Sequence, residues 1–192
     1  IDLDIFWEQV NRICKIDCPM FFTCTTKFGV SLINSNPNNF RYDLVWVKST
    51  SCGFLNFKKM PMKKHEMIYV FYRKLPLYDL SCHSHKFLPE RKTIHYRNGS
   101  NIYGKIDRPD MMRKNGESAY EPPLPNSVLE IKSEKRKHAT QKPTALIEWC
   151  LKYYSKEGDT ILDPTMGSGT TGVACKNMNR NFIGIELDEK IF

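Results

Sequence analysis

Two acidic residues and a group of glycines lie at a spacing that could hold a nucleoside. Asp163 follows the apolar run 160–162, and the glycines Gly167, Gly169 and Gly172 come directly after it. Glu186 ends a second apolar run, 181–185. Glycines let a backbone approach a ligand closely, and an acid at the end of the next strand can accept hydrogen bonds from a ribose diol. The pattern therefore predicts a site for an adenosine-containing cofactor.

The type of cofactor has to be chosen among several, because Gly-x-Gly-x-x-Gly also occurs in dinucleotide-binding enzymes and is weak evidence alone. Asp163 and Pro164 precede the turn, which puts a negative charge where a pyrophosphate would lie. The chain contains no Gly-Lys-Ser/Thr, so a phosphate-gripping P-loop is excluded. A cationic, phosphate-free cofactor such as S-adenosylmethionine fits best. The alternative is a tight turn in an ordinary α/β domain.

The sequence around the turn predicts the elements that position it. Helices are expected at 2–16, 30–34, 143–158 and 173–178, with Pro143 as a first helical residue, Gly158 as a stop and a turn at 27–29. Strands are expected at 20–25, 42–48, 67–72, 160–162 and 181–185. Prolines and polar residues leave 75–137 without a long periodic element. Helix and strand alternate at both ends, which predicts an α/β sheet with an inserted region.

Positive charge is concentrated in the middle of the chain. The 192 residues carry a formal net charge of +8, yet residues 48–137 hold 19 Lys and Arg against 9 Asp and Glu, and the remainder holds 10 against 12. This concentration is typical of a phosphate-binding surface, and an ordinary solvated surface is the alternative. Four lysines of a predicted loop between two strands are the candidate phosphate contacts: Lys58, Lys59, Lys63 and Lys64.

The cysteines and the hydropathy indicate a cytoplasmic protein. The seven cysteines show no Cys-x-x-Cys spacing, so they are interpreted as reduced thiols. No run of 18 apolar residues occurs, and no membrane contact is expected. The segment 82–85, Cys-His-Ser-His, resembles half of a zinc site, but no second Cys/His pair lies at ligand spacing. We therefore expect no metal.

The glycine segment carries a resemblance to a known family. Residues 163–172, Asp-Pro-Thr-Met-Gly-Ser-Gly-Thr-Thr-Gly, resemble the cofactor motif D-P-F-x-G-S-G-T-T of DNA amino-methyltransferases, with Thr165 where an aromatic residue is common. Residues 138–143 look like the segment just upstream in that family, and 43–48 and 65–71 resemble its central strands. The likeness spans 1–75 and 138–192 and is not clear over 76–137.

The resemblance implies a Rossmann-like sheet, S-adenosylmethionine as cofactor, and a role for each site residue. Gly167 and Gly169 would allow close backbone approach, Asp163 would contact the amino-acid end of the cofactor, and Glu186 would take the ribose hydroxyls. Thr140, Lys142 and Pro143 would shape the methionine pocket. The full set of cofactor-binding candidates is Asp163, Pro164, Met166, Gly167, Gly169, Thr170, Glu186, Thr140, Lys142 and Pro143. The alternatives are a turn cap for Asp163, a solvated strand end for Glu186 and a surface lysine for Lys142.

The order of the segments is similar to that of the permuted β group of these enzymes. It implies a catalytic half at 1–75, a target-recognition insertion at 76–137 and a cofactor half at 138–192. The family's Asp/Asn/Ser-Pro-Pro-aromatic tetrapeptide is missing, because Glu121-Pro122-Pro123-Leu124 has the wrong flanks. We therefore expect that tetrapeptide upstream of Ile1, no catalytic residue among these positions, a fragment cut at both ends, and no turnover by the fragment alone.

The implied reaction is methyl transfer to the exocyclic amino group of adenine, or less often cytosine, in duplex DNA after the base is flipped out. Duplex DNA and a restriction endonuclease are the implied partners. Two alternatives stay open: a catalytically inactive DNA-binding relative, and an amino-methyltransferase acting on RNA or protein. A cytosine-carbon methyltransferase is disfavoured, because its Pro-Cys nucleophile is represented only by Cys18-Pro19 in the reverse order.

Overall fold

The computed structural model describes residues 2–86, 96–97, 108–109, 118–134, 141–188 and 191. The chain divides into two units, the first formed by Ile1–Asp79 with Asn126–Phe192 and the second by Leu80–Pro125. The described helices are α1 (Leu3–Ile13), α2 (Thr26–Ser35), α3 (Thr144–Tyr154) and α4 (Thr170–Asn177), with a 3-10 turn at Phe54–Asn56. The described strands are β1 (Met20–Cys24), β2 (Phe40–Cys52), β3 (Lys63–Phe71), β4 (Ser84–His85), β5 (Tyr96–Arg97), β6 (Arg108–Pro109), β7 (Tyr120–Glu121), β8 (Val128–Glu130), β9 (Thr160–Asp163) and β10 (Asn181–Gly184).

The main sheet of the first unit has the strand order β1-β3-β2-β8. Strand β3 pairs antiparallel with both β1 and β2, and β8 joins the other edge of β2 in parallel. Inward-facing residues of β2, β3, β8 and α3 form one core cluster, which consists of Leu44, Trp46, Ile68, Val70, Leu129 and Leu146. Because these residues alternate along the strands, one face of the sheet is buried against α3.

Helices α1 and α2 cover residues on the β1 and β3 side of this sheet. The Asp2 side chain caps α1 by accepting from the backbone N–H groups of Asp4 and Ile5. Four residues form the core beneath the two helices: Trp7, Leu32, Tyr69 and Phe71. The predicted turn at 27–29 is wrong, since Thr25 caps α2 and the helix begins at Thr26.

A second, two-stranded sheet carries the glycine segment. Strands β9 and β10 are parallel, with Asp163 opposite Gly184, and α4 connects them. Helices α3 and α4 pack together through Leu151, Ala174 and Cys175. Arg180, just before β10, reaches the end of α3 through Ser155, with its Nε 3.0 Å from the hydroxyl oxygen and an Nη 2.9 Å from the carbonyl oxygen. These contacts attach the residue that precedes β10 to the end of α3.

Several predicted boundaries need correction. Helix α1 ends at Ile13 rather than at residue 16, because Cys14 adopts an extended conformation. Pro143 is the residue before α3 and is itself extended, so Thr144 is the first helical residue. Gly158 does not stop the helix, which ends at Tyr154, although its φ of +81° serves the turn that follows. Strand β8, of three residues, lies within the region for which no strand was specified and no long periodic element was expected.

The second unit contains only short pairings among its described residues. Strands β4 and β7 pair antiparallel, and so do β5 and β6. The described residues of this unit contain no long element, and the role of 76–137 in target recognition stays a prediction. No helix in the described part of the chain is long and apolar enough to cross a membrane.

Candidate functional site

The glycine turn lies between the end of β9 and the beginning of α4. Gly167 and Gly169 have φ values of +54° and +75°, a backbone region that side chains with a Cβ rarely adopt. The N–H of Gly169 donates to the carbonyl of Met166 at 3.0 Å, and the N–H of Met166 donates to Ile185 at 3.0 Å. The turn is therefore closed on itself and tied to the end of β10.

The Asp163 carboxylate braces this turn from inside. One oxygen accepts from the Thr165 N–H at 3.1 Å, and the other accepts from the Thr171 hydroxyl at 2.5 Å. The side chain is half-buried at the carboxyl end of β9. The alternative of a turn cap is thus part of its structural role, and the same position leaves a negative charge beside the glycine turn.

Glu186 lies two residues after the end of β10, whose last residue, Gly184, is opposite Asp163. One of its oxygens accepts from the Gly167 N–H at 2.8 Å, and the other accepts from the backbone N–H groups of Leu187 and Asp188 at 2.9 and 3.0 Å. The alternative of a freely solvated strand end is wrong, because the half-buried carboxylate is held by three backbone donors. The hydrogen bond between Gly167 and Glu186 thus joins the glycine segment to the acid that follows the second strand, the two features that predicted the site.

The glycines of the motif fall into two classes. Among the described residues, a Cβ on Gly167 would meet Ile191 at 3.9 Å, an ordinary van der Waals contact, so its positive φ rather than crowding calls for glycine here. A Cβ on Gly172 would lie 2.8 Å from the Phe182 ring, and one on Gly184 would lie 2.2 Å from the Met166 sulfur. Gly172 therefore lets α4 pack against β10, and its match to a dinucleotide fingerprint has a packing cause.

A charged cluster that the sequence did not predict lies on the main sheet. Glu66 on β3 forms ion pairs with Lys48 on β2 and, at 3.0 Å, with Lys142. Burial alone would raise the pKa of Glu66, but the hydrogen bonds and charges of the two lysines lower it below its ordinary value. The Lys48 side chain is only 7% exposed. Lys142 is therefore part of a half-buried network with a net charge of +1 rather than a surface lysine.

This network borders a small cleft in front of α3. The cleft is lined by Trp46, Ser133, Glu134, Gln141, Lys142 and Pro143, and none of the glycine-turn residues lines it. Glu134 caps the helix by accepting from the N–H and hydroxyl of Thr144 at 2.9 and 3.2 Å. Lys142 and Pro143 both line this cleft, their role in a methionine pocket stays a prediction, and Thr140 lies outside the described residues.

The four candidate phosphate-binding lysines are all exposed. Lys58 and Lys59 follow the 3-10 turn, as expected for a loop. Lys63 and Lys64 instead begin β3, because the Cys52 and Lys63 positions pair across the hairpin. Among the described residues, no three His, Cys, Asp or Glu side chains converge as metal ligands would.

The family model described as DNA methylase, named for N6 and N4 methyltransferases, matches residues 4–192. The chain belongs to this DNA methylase family. The match confirms the predicted membership in the DNA amino-methyltransferases. The bounds of the match also enclose residues 76–137. The permuted arrangement and the fragment status stay predictions.

Curated relatives match a shorter stretch. The type II methyltransferase M2.DpnII of Streptococcus pneumoniae is 54% identical over 54 residues, which is 28% of this chain and 20% of that protein. The type II methyltransferase M2.LlaDCHI of Lactococcus lactis subsp. cremoris is 50% identical over 64 residues, 32% of this chain and 24% of that protein. The aligned stretches thus span about a quarter or less of these relatives.

Solved structures share the fold along the whole chain. The M1.HpyAVI–SAM complex superposes with a TM-score of 0.63 at 24% identity, covering 100% of this chain and 79% of that one. The cytosine-N4-specific PvuII DNA methyltransferase superposes with a TM-score of 0.66 at 15% identity, covering 98% and 66%. The chain has the Rossmann-like methyltransferase fold that the resemblance implied.

Proposed function

We propose that the turn between β9 and α4 binds S-adenosylmethionine, and that the protein transfers the methyl group to the exocyclic amino group of adenine in duplex DNA. The observation that carries the proposal is the hydrogen bond from the Gly167 N–H to Glu186, which holds a carboxylate beside the glycine turn. Membership in the DNA methylase family supports the reaction class.

The adenosine end of the cofactor fits the Glu186 side of the turn. Ribose hydroxyls are donors, and an ionised carboxylate accepts hydrogen bonds only. Three backbone donors already orient Glu186, so little side-chain entropy is lost when a diol binds. Gly167 has no Cβ, and its nearest described side chain is Ile191, 3.9 Å from where a Cβ would lie, so a ligand could approach the backbone closely.

The methionine end carries a positive sulfonium and an α-amino group, and Asp163 supplies the opposite charge. Its carboxylate is half-buried, where a charge interaction is stronger than in bulk water. The α-carboxylate of the cofactor is an anion, and the network of Lys48, Glu66 and Lys142 has the net positive charge that attracts one. Pro143 and Thr140 would complete this pocket.

The bound cofactor supplies an electrophilic methyl group, and the chain's own residues bind it and orient it. The exocyclic amine is a weak nucleophile, because its lone pair is delocalised into the base, so alignment with the methyl group supplies much of the rate. The family's tetrapeptide, which would supply the acceptors that hold the amine, does not occur in residues 1–192. No residue of this chain is therefore assigned to proton or methyl transfer.

DNA binding is assigned to the basic middle of the chain. The exposed side chains of Lys58, Lys59, Lys63 and Lys64 can neutralise phosphates, which makes affinity fall with salt. The target base has to leave the duplex, which costs a few kcal/mol. Because DNA is the substrate, we assign the protein to the cytoplasm. The relatives are named type II methyltransferases, which supports a restriction endonuclease acting on the same sequence as a partner.

The test uses the complete gene product that carries this chain, with tritiated S-adenosylmethionine and equal amounts of duplex DNA, RNA and protein. We expect label in DNA, and nucleoside digestion to give N6-methyladenine. Recovery of N4-methylcytosine would overturn the choice of base, which matters because one structural neighbour is cytosine-N4-specific. Label only in RNA or protein, or none at all, would overturn the DNA assignment.

A further inference from the structure

The loop between β2 and β3 exposes an unusual amount of apolar surface. We call residues 53–62 the aromatic–lysine loop. Five of its large apolar side chains are exposed: Phe54 (69%), Leu55 (96%), Phe57 (51%), Met60 (58%) and Met62 (46%). Single exposed apolar residues are common, but a contiguous group of them marks an interaction site.

The loop presents this surface on a hydrogen-bonded turn. Gly53, with φ of +92°, starts the 3-10 turn Phe54–Asn56. The N–H of Phe57 donates to the Phe54 carbonyl at 3.1 Å, and the N–H of Lys59 donates to the Asn56 carbonyl at 2.8 Å. The two phenyl rings stack with centroids 5.1 Å apart and planes 17° from parallel. A partner would therefore meet flat rings that are already in place, which reduces the entropy cost of binding.

The charge of the same segment is of one sign. The loop contains Lys58 and Lys59, the next two residues are Lys63 and Lys64 at the start of β3, and 53–64 contains no Asp or Glu. The Lys58 ammonium lies 5.9 Å from the centre of the Phe57 ring, so charge and aromatic surface are interleaved. Nucleic acid offers both complements at once, with phosphates for the lysines and base faces for the rings.

We propose that the aromatic–lysine loop is a wedge that stacks Phe54 and Leu55 against DNA bases left without a neighbour when the target base is flipped out, while its lysines bind the flanking phosphates. The inference rests on the proposed function, because base flipping is what opens a gap in the stack. Apolar side chains inserted at an unstacked step are an established way for proteins to hold distorted DNA.

The test compares two duplexes of one sequence, an intact duplex and one with a single abasic site, which offers the gap without flipping. Binding to this chain is measured by fluorescence anisotropy over a series of salt concentrations. We expect the abasic duplex to bind more tightly, and Phe54→Ala with Leu55→Ala to reduce that preference roughly tenfold, as loss of a stacked base does. A Phe54→Trp variant, which keeps an aromatic ring at this position, should retain the preference for the abasic duplex.

Two controls separate stacking from charge and from general surface damage. Lys58→Ala with Lys59→Ala should weaken both duplexes equally and lower the salt dependence, leaving the abasic preference intact. Phe28→Ala alters another exposed phenyl ring, on α2, and should change nothing. An abasic preference that persists in the Phe54/Leu55 variant, or one lost equally in the Phe28 variant, would overturn the proposal.

A binding experiment with lipid vesicles tests a membrane surface as the alternative partner, because a membrane also combines anionic and apolar groups. Vesicles of phosphatidylserine and phosphatidylcholine that bind the chain through Phe54 and Leu55, with DNA preference unaffected by those changes, would overturn the wedge in favour of a lipid surface. Calorimetry with S-adenosylmethionine on the same samples separates the two failures. If the chain binds the cofactor and DNA but the loop substitutions leave the abasic preference unchanged, the wedge alone is refuted. If the unaltered chain does not bind the cofactor, the proposed function is refuted.

Discussion

Removal of the Glu186 carboxylate is the sharpest perturbation of the proposed cofactor site. In Glu186→Ala, the N–H groups of Gly167, Leu187 and Asp188 lose an ionised acceptor that lies at 2.8 to 3.0 Å. The last two donors are exposed and are rehydrated, so the main intrinsic loss is the half-buried Gly167 bond. We expect the free energy of unfolding to fall by roughly 1 kcal/mol, the usual net value of such a bond.

Cofactor affinity should fall further than stability, because the ribose diol loses its acceptor as well. Hydrogen bonds to charged groups contribute about 1.5–3 kcal/mol, and we expect a total loss of roughly 1–3 kcal/mol. Since 1.4 kcal/mol is a factor of ten, Kd should rise about 5- to 150-fold. Glu186→Gln keeps one carbonyl acceptor and should lose less.

Calorimetric titration can separate the direct contact from the support of the turn. S-adenosylhomocysteine and its 2′-deoxy analogue are titrated into the unaltered chain, Glu186→Ala, and the control Glu157→Ala, which changes an exposed carboxylate after α3. We expect the penalty of Glu186→Ala to shrink with the analogue that lacks a ribose hydroxyl. An unchanged Kd for the normal ligand, or an equal penalty for both ligands, would refute the assigned contact.

Three further predictions address the surrounding structure. Gly172→Ala puts a methyl group 2.8 Å from the Phe182 ring and should lower unfolding free energy by about 1–3 kcal/mol in urea titrations; an unchanged midpoint contradicts that packing role. The hydrogen bond from Cys18 lowers the pKa of the Cys14 thiol to about 7. The alkylation rate of Cys14, followed by mass spectrometry, should therefore rise with pH with a midpoint near that pKa of about 7. Cys18→Ala should move that midpoint upward, and an unmoved midpoint contradicts the assignment. Glu66→Gln should destabilise by roughly 1–3 kcal/mol at neutral pH. Because the folded pKa of Glu66 is lowered, that difference should shrink as pH falls below about 4, and a constant difference down to pH 3 contradicts the ion pairs.

The strand–turn–helix–strand arrangement around the glycines was predictable because its information is local, while its role in cofactor binding stays a proposal. Asp163, the glycines and Glu186 lie within one short stretch of the chain around β9, α4 and β10. Gly167 and Gly169 have positive φ values, and Gly172 allows a close approach to Phe182. The hydrogen bond between Gly167 and Glu186 follows from the parallel pairing of β9 and β10, which brings their carboxyl ends to one edge. The α/β class followed from the same alternation of elements.

The charged network was not predictable in this way, because its members are distant in sequence. Lys48, Glu66 and Lys142 meet only after β2 and β3 pair with Trp46 opposite Glu66 and after the segment before α3 folds back. One signal was available: Lys48 and Glu66 are charged residues attached to strongly apolar strands, and such residues are seldom buried without partners. Strand β8 was missed because three residues among prolines carry no periodic pattern, and its pairing with β2 alone defines it.

The central claim is that the turn after β9 binds S-adenosylmethionine, and the most direct test is an amide NMR titration of the 15N-labelled chain with that cofactor. The account predicts saturable shifts at one equivalent for the amides of Gly167, Gly169 and Leu187. Shifts confined to other residues of the folded chain, or no shifts at saturating cofactor, would contradict it.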